Sequence, residues 1–190
     1  MRLLLIRHAM PAFGPEAPPE AWDLSEQGRA GAESLRSVVP ADALRVSSVE
    51  PKAQHTLTPA GRVITDRRFN EVRRDEPYEG DFRARRLAYV SGPDHAGWEP
   101  RDAVRRRFDE GIRFWLRADA PTLAVASHGM AMTIWLAGIG LREPGSFWSE
   151  LRLPDVFDVD LASGSVTRVE SPSLLQVSGS PGEELGGPPR

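Results

Sequence analysis

The sequence predicts an α/β protein: a three-layer α/β/α sandwich around a mainly parallel sheet. Three observations predict it. Short, continuous apolar runs read as strands buried on both faces, which is the signature of parallel sheets. Segments with helical spacing or helix-start signals lie between them. Two of the runs also end in the same way. Arg2-Leu3-Leu4-Leu5-Ile6 leads into Arg7-His8-Ala9, and Thr122-Leu123-Ala124-Val125-Ala126 leads into Ser127-His128-Gly129. Open α/β sheets build their sites at the carboxyl ends of strands, so two strands that each deliver a histidine predict one pocket with two imidazoles.

Taken in order, the first strand covers Leu3 to Ile6. A Pro-rich loop follows over residues 9–23, with Phe13 and Trp22 in it. Ser25 is a good N-cap for a helix running to about Ser37, with Leu24 as a staple. Leu44 to Val46 reads as a second strand, and Pro51 suits the first turn of the next helix. Val63 and Ile64 form a third, brief strand, and a polar irregular stretch runs from Asp66 to about Asp81. Pro100 opens an amphipathic helix in which Val104, Phe108, Ile112 and Trp115/Leu116 repeat at helical spacing. The strand from Thr122 to Ala126 follows, then an apolar helix over Met130 to Ala137. Two late β segments, Val156 to Leu161 and Ser165 to Val169, flank the turn Ala162-Ser163-Gly164. Ser, Pro and Gly make up 12 of the last 20 residues. Such a segment buries too little to offset its ordering entropy. The expected organisation is therefore one domain over residues 1–170 and a disordered tail over 171–190.

Composition narrows the function classes. The 190 residues carry 24 basic and 27 acidic side chains, a formal net charge of -3. That balance exerts no global pull on nucleic acid or an anionic membrane. The arginine clusters at 67–68, 73–74, 83–86 and 105–107 read first as solvated surface with acidic neighbours. A weaker reading puts Arg73, Arg74 or Arg83 on the rim of a pocket for an anionic substrate. There is no cysteine, which excludes disulfides and thiolate metal sites. No apolar run reaches transmembrane length, and the apolar start is too short for a signal segment. A cytoplasmic location is expected.

The candidate chemistry gathers at the strand ends. Imidazole is a nucleophile, a base or a phosphate ligand near neutral pH. Arg7, beside His8, offers a bidentate fork for phosphate. Lys52 is the only lysine, and it falls in the first turn of a helix after Ser47-Ser48-Val49-Glu50-Pro51. The macrodipole opposes a cation there unless an anion is bound, so phosphate binding is favoured over an exposed lysine paired with Glu50. Gly129 permits close approach of a ligand to the backbone beside His128. No two histidines stand at metal-binding spacing, so neither a metal nor a cofactor is expected. His55 and His95 have no such context and read as surface residues.

The order Arg-His-small, Leu-Ser-x-x-Gly, Ser-Ser-x-Glu-Pro-Lys-Ala, Asn-Glu and Ser-His-Gly resembles the histidine phosphatase superfamily, the phosphoglycerate mutase-like group. The resemblance spans roughly Leu3 to Val169. It implies an antiparallel edge strand, which the late β segments supply. It also implies that His8 becomes phosphorylated, that Arg7, Lys52 and His128 hold the phosphoryl oxygens, and that Glu71 is the proton donor. Glu71 competes for that role with Asp75, Glu76 and Glu79, the last in a Tyr-Glu-Gly element. Three departures stand out: Ala9 for the usual glycine, Met10-Pro11 for a polar segment, and Lys52 for a second arginine.

The expected activity is hydrolysis of a small phosphomonoester through a phosphohistidine, without a metal. The departures keep a non-catalytic phospho-ligand-binding pseudoenzyme as the alternative. A phosphoglycerate mutase ranks behind, because only about 50 residues separate Glu71 from the His128 strand, a short frame for retaining a bisphosphate. Trp22, Tyr78 and Trp98 are candidates for stacking on a substrate ring. A nucleic-acid module ranks last, lacking positive charge and interleaved aromatics.

Overall fold

A computed structural model of the chain describes residues 1–76 and 80–170. The expected disordered tail, Tyr78 and Glu79 lie outside the described residues.

One six-stranded sheet organises the molecule. Strand β1 (Arg2–Arg7) lies parallel to β4 (Thr122–Ser127), which lies parallel to β2 (Leu44–Ser47), and β3 (Ile64–Thr65) continues that parallel half. On the other side of β1, β5 (Asp155–Asp160) runs antiparallel, and β6 (Ser165–Arg168) runs antiparallel to β5. The spatial order is β3-β2-β4-β1-β5-β6. The antiparallel margin therefore uses both late segments: β6 is the edge and β5 joins it to the parallel half. Gly164 makes their reversal possible by adopting a φ of 72°.

Alternation along β1 explains the layers. Leu3 and Leu5 point to one face and Leu4 and Ile6 to the other, and all four are buried. The Leu4/Ile6 face is covered by Leu35, Val39 and Leu57. Leu35 belongs to the 3-10 turn Leu35–Ser37 that continues α1 (Glu26–Ser34), Leu57 ends α2 (Pro51–Leu57), and Val39 lies in the connection to β2. The Leu3/Leu5 face carries the larger core. Its other side is built by α3 (Phe82–Ser91), α4 (Arg101–Trp115), α5 (Gly129–Gly138) and α6 (Pro144–Ser149). Val104, Phe108 and Ile112 of α4 are buried in it, as the periodicity predicts, and Phe108 stacks on Trp135 of α5 with ring centroids 5.2 Å apart. Helix α5 is buried at every residue from Gly129 to Leu136.

Two helices differ from expectation. The sequence analysis has no helix at α3 or α6, yet both form. Asp81 caps α3 by accepting the Ala84 N–H at 2.8 Å, and Glu143 caps α6 through the N–H groups of Gly145 and Ser146. In α3 the arginines between Phe82 and Tyr89/Val90 hide the apolar stripe. Helix α6 is too short to show a period. Within the stretch from Asp66 to Asp81, Arg67–Phe69 forms a 3-10 turn capped by Asp66.

No helix among the described residues is long and apolar enough to cross a membrane.

Candidate active site

The carboxyl ends of β1, β2 and β4 meet at one place. Register pairs Arg7 with Ser127, so His8 and His128 follow at matching positions on neighbouring strands. The His8 N–H donates to Ser127 O at 3.0 Å, and the Ser48 N–H donates to Ala126 O at 2.9 Å. The two imidazoles sit with ring centroids 5.1 Å apart, tilted by 59°.

His8 is 7% exposed. Its Nδ1 lies 2.7 Å from the carbonyl oxygen of Ala9. A carbonyl only accepts, so this contact makes Nδ1 the donor and leaves the Nε2 lone pair free. Burial, then the charges of His128, Lys52 and Arg7, hold His8 well below the usual histidine value, although the Ala9 hydrogen bond acts the other way. The Ala9 N–H donates to Thr56 Oγ1, and Thr56 donates in turn to Lys52 O. The methyl of Ala9 packs in a small buried cluster with Leu24 and Ala32.

His128 is fully buried and does not line the cleft that His8 faces. Its Nε2 is 3.4 Å from Glu50 Oε1, without the alignment of a hydrogen bond, and neither ring nitrogen has a hydrogen-bond partner. An unsatisfied buried polar group costs about 1–3 kcal/mol and calls for an explanation. Burial lowers the pKa of His128 far below normal, with Lys52, Arg74, Arg107 and Arg7 adding to the effect.

Lys52 departs from the exposed-lysine reading of the sequence. It is paired with Glu50, Nζ to Oε2 at 2.6 Å, but it is buried rather than exposed. Its ammonium also donates to Pro19 O at 2.6 Å. Arg7 lines the cleft, and its guanidinium donates to the carbonyls of Leu151 and Arg152.

Glu71 caps helix α5. Oε1 accepts from Ala131 N at 3.0 Å and Val72 N at 2.9 Å, and Oε2 is 3.4 Å from Met130 N. The segment that carries it is tied on three sides. Ser127 Oγ donates to Phe69 O, Asn70 Oδ1 accepts from Ser48 Oγ and Val49 N, and Arg107 donates to the carbonyls of Arg68, Asn70 and Glu71. Of the competing carboxylates, Asp75 is exposed. Glu76 pairs with Arg74, Arg85 and Arg86; burial alone would raise its pKa, but Arg86 and Arg74 bring it below normal.

These groups open into a cleft of about 790 Å³. Arg7, His8, Glu50, Lys52 and Glu71 are among its polar lining, and Phe13, Trp22 and Trp148 are among its aromatic lining. Arg73 and Arg74 line it, but Arg83 does not; Arg83 donates to Ser149 O and sits over Trp148. Trp98 is buried against Tyr89, away from the cleft. Glu50, Thr56 and Trp148 are the site residues that sequence reasoning missed. Only Glu50 had a signal, as an acidic residue two positions before the one lysine. Among the described residues, no group of three or more His, Asp or Glu side chains is arranged to hold a metal ion.

Fold and site together define a class of protein with a strand-end histidine pocket on a doubly wound sheet. The sequence profile of the histidine phosphatase superfamily (branch 1) matches residues 3–168, and the chain belongs to that superfamily. Similar solved structures share the fold at low identity. A mycobacterial glucosyl-3-phosphoglycerate phosphatase in complex with VO3 superposes with a TM-score of 0.68 at 19% identity, over 88% of this chain and 96% of that one. YhfR of Bacillus stearothermophilus gives 0.67 at 17%, over 91% and 98%. A putative alpha-ribazole-5'-P phosphatase of Escherichia coli gives 0.60 at 20%, over 89% and 94%. No curated protein sequence matches the chain.

Proposed function

We propose that the protein is a phosphomonoester hydrolase that acts on a small phosphorylated substrate through a phosphohistidine on His8. The observation that carries the proposal is the Nδ1–Ala9 carbonyl contact, because it fixes the tautomer in which Nε2 is the nucleophile. Superfamily membership and phosphatase-named structural relatives point the same way.

The proposed steps balance as follows. The Nε2 lone pair of neutral His8 attacks phosphorus, and the ester P–O bond breaks. The departing oxygen takes a proton from Glu71 and leaves as an alcohol. Water then attacks the phosphohistidine, gives a proton to the Glu71 carboxylate and releases inorganic phosphate from Nε2. Arg7 and Lys52, which line the cleft, hold the phosphoryl oxygens and stabilise the charge that develops on them, and His128, buried behind the cleft wall with its ring centroid 5.1 Å from that of His8, has to be uncovered to join them. Glu71 is preferred as the proton donor because Glu76 is held ionised by three guanidinium groups and Asp75 is exposed. No step uses a metal or a cofactor.

One observation favours the pseudoenzyme reading: the Lys52 ammonium is engaged by Glu50 and the Pro19 carbonyl. The Ala9 methyl no longer supports it, since that methyl packs with Leu24 and Ala32. The test is incubation with a generic aryl phosphate, a non-acidic quench and mass spectrometry, beside an assay of released phosphate. Wild type should carry label on His8 and turn over, and His8→Ala should do neither. Glu71→Gln should slow turnover by about a hundredfold or more. An active His8→Ala protein sinks the mechanism. Absence of label and of release in the wild type, with phosphate still bound, selects the pseudoenzyme. A mutase would need priming by 2,3-bisphosphoglycerate, and the same assay shows whether that compound changes the outcome.

A further inference from the structure

The proposed mechanism gives no task to the buried carboxylate of Glu50. Glu50 follows β2, is 5% exposed and lines the cleft beside Arg7 and His8. Its two carboxylate oxygens are divided between the groups assigned to phosphate. Oε2 accepts from Lys52 Nζ at 2.6 Å, and Oε1 lies 3.4 Å from His128 Nε2. Oε1 also accepts the Glu71 backbone N–H at 2.7 Å. An anion thus already sits on the cations and donors that an incoming phosphoryl group needs.

We propose that Glu50 is an internal anion whose carboxylate competes with the phosphoryl group of substrate or product for Lys52 and His128. The inference rests on the phosphatase reading only in taking these two residues as phosphate ligands. A phosphate dianion entering the cleft is repelled by the Glu50 carboxylate and has to draw Lys52 out of its ion pair. Both effects weaken ground-state binding. They raise KM and the Kd of inorganic phosphate together and leave the chemical step nearly untouched. Slack binding of product keeps a pocket this rich in cations and donors from being trapped by phosphate. A carboxylate that served only to anchor the loop between β2 and α2 would have no such signature, because its loss would weaken binding and turnover alike.

Inorganic phosphate is the probe, titrated calorimetrically into wild type, Glu50→Gln, Lys52→Met and the double variant. Glu50→Gln should bind phosphate on the order of tenfold more tightly. Its KM for an aryl phosphate should fall by a similar factor while kcat stays within a few-fold. Lys52→Met leaves the Glu50 charge unpaired and should bind phosphate more weakly than wild type, and adding Glu50→Gln should restore part of that loss. Unchanged or weaker phosphate binding in folded Glu50→Gln overturns the proposal. So does a double variant that binds no better than Lys52→Met. If Glu50→Gln does not fold, that comparison decides the matter, since the double variant removes both members of the buried pair. The titrations need no turnover. A wild type that binds phosphate but forms no phosphohistidine sinks the phosphatase reading, and the four affinities still judge Glu50. Loss of phosphate binding in all four proteins overturns the inference as well.

Discussion

His8 owes its properties to where the chain turns. It is the first residue past β1, so its backbone N–H still pairs with the neighbouring strand while its side chain leaves the sheet. Burial and the surrounding charges favour the neutral ring, the form that the proposed attack on phosphorus requires. A free imidazole titrates near 6.5. In phosphate-free buffer, NMR of His8 should therefore show a neutral ring as the pH falls from 8 through 6.5, with its midpoint clearly below that value. A midpoint at or above 6.5 would mean that the ring is solvated or paired with a carboxylate, contrary to the structure. Arg7, His8 and His128 are each legible in the sequence because each stands beside a recognisable strand end. Glu50 has one local signal, its place two residues before the only lysine, but nothing in the sequence distinguishes a buried glutamate from an exposed one.

At the scale of elements, the Leu-Ser-x-x-Gly motif has a packing reason. Ser25 caps α1 by accepting the Gly28 N–H at 3.0 Å, and the Ser25 N–H donates to Met10 O. Gly28 lies so close to Met10 that a Cβ there would overlap its carbonyl oxygen. The start of α1 is thereby fixed against the segment just after His8. Helix propensity predicts that Gly28→Ala stabilises α1 by about 1 kcal/mol. The tertiary contact predicts the reverse: a loss of about 1–3 kcal/mol in chemical denaturation, as for other overpacked sites. A more stable Gly28→Ala protein would show that the close approach is not maintained. Arg107 makes the complementary point. It sits on α4 far from the catalytic motifs in sequence, yet its guanidinium holds three carbonyls of the segment leading to Glu71 and pairs with Glu99. The sequence predicts a solvated surface for the arginine clusters, and Arg105 and Arg106 do pair with Asp102 on α4. Arg107 differs because its face of the helix meets the loop.

For the whole molecule, the buried imidazoles set a pH dependence. His8 and His128 both have folded pKa values far below the unfolded one. As pH falls below about 6.5, the unfolded chain binds protons that the native sites refuse, so stability falls, by up to about 1.4 kcal/mol per pH unit for each histidine. Asp155 has the opposite sign. Its pKa is raised by burial, so it stabilises the native state on acidification through its folded value. Glu76, Glu99 and Asp66 have lowered values, and their contribution is lost only in more acid solution, below the ordinary carboxylate range. Urea unfolding should therefore lose stability between pH 7 and pH 5, and a His8→Asn/His128→Asn double variant should be flatter over that interval. A flat wild-type curve would contradict the burial of the two rings.

The sequence by itself determined the sheet, most of its strands, the amphipathic α4, the buried α5 and the delivery of His8 and His128 by two strand ends. Those features rest on local signals: continuous apolar runs, helical spacing, and turn or cap residues beside them. Tertiary structure alone decided that α3 and α6 form, since a charged surface hides the stripe of one and the other is too short to show a period. It alone decided that Lys52 is buried, that His128 lies behind the cleft wall, and that Glu71 caps α5. Above all it brought Glu50 onto Lys52 and His128. Each of these depends on which segments meet across the sheet, and contacts between residues far apart in the chain leave no pattern in its local composition.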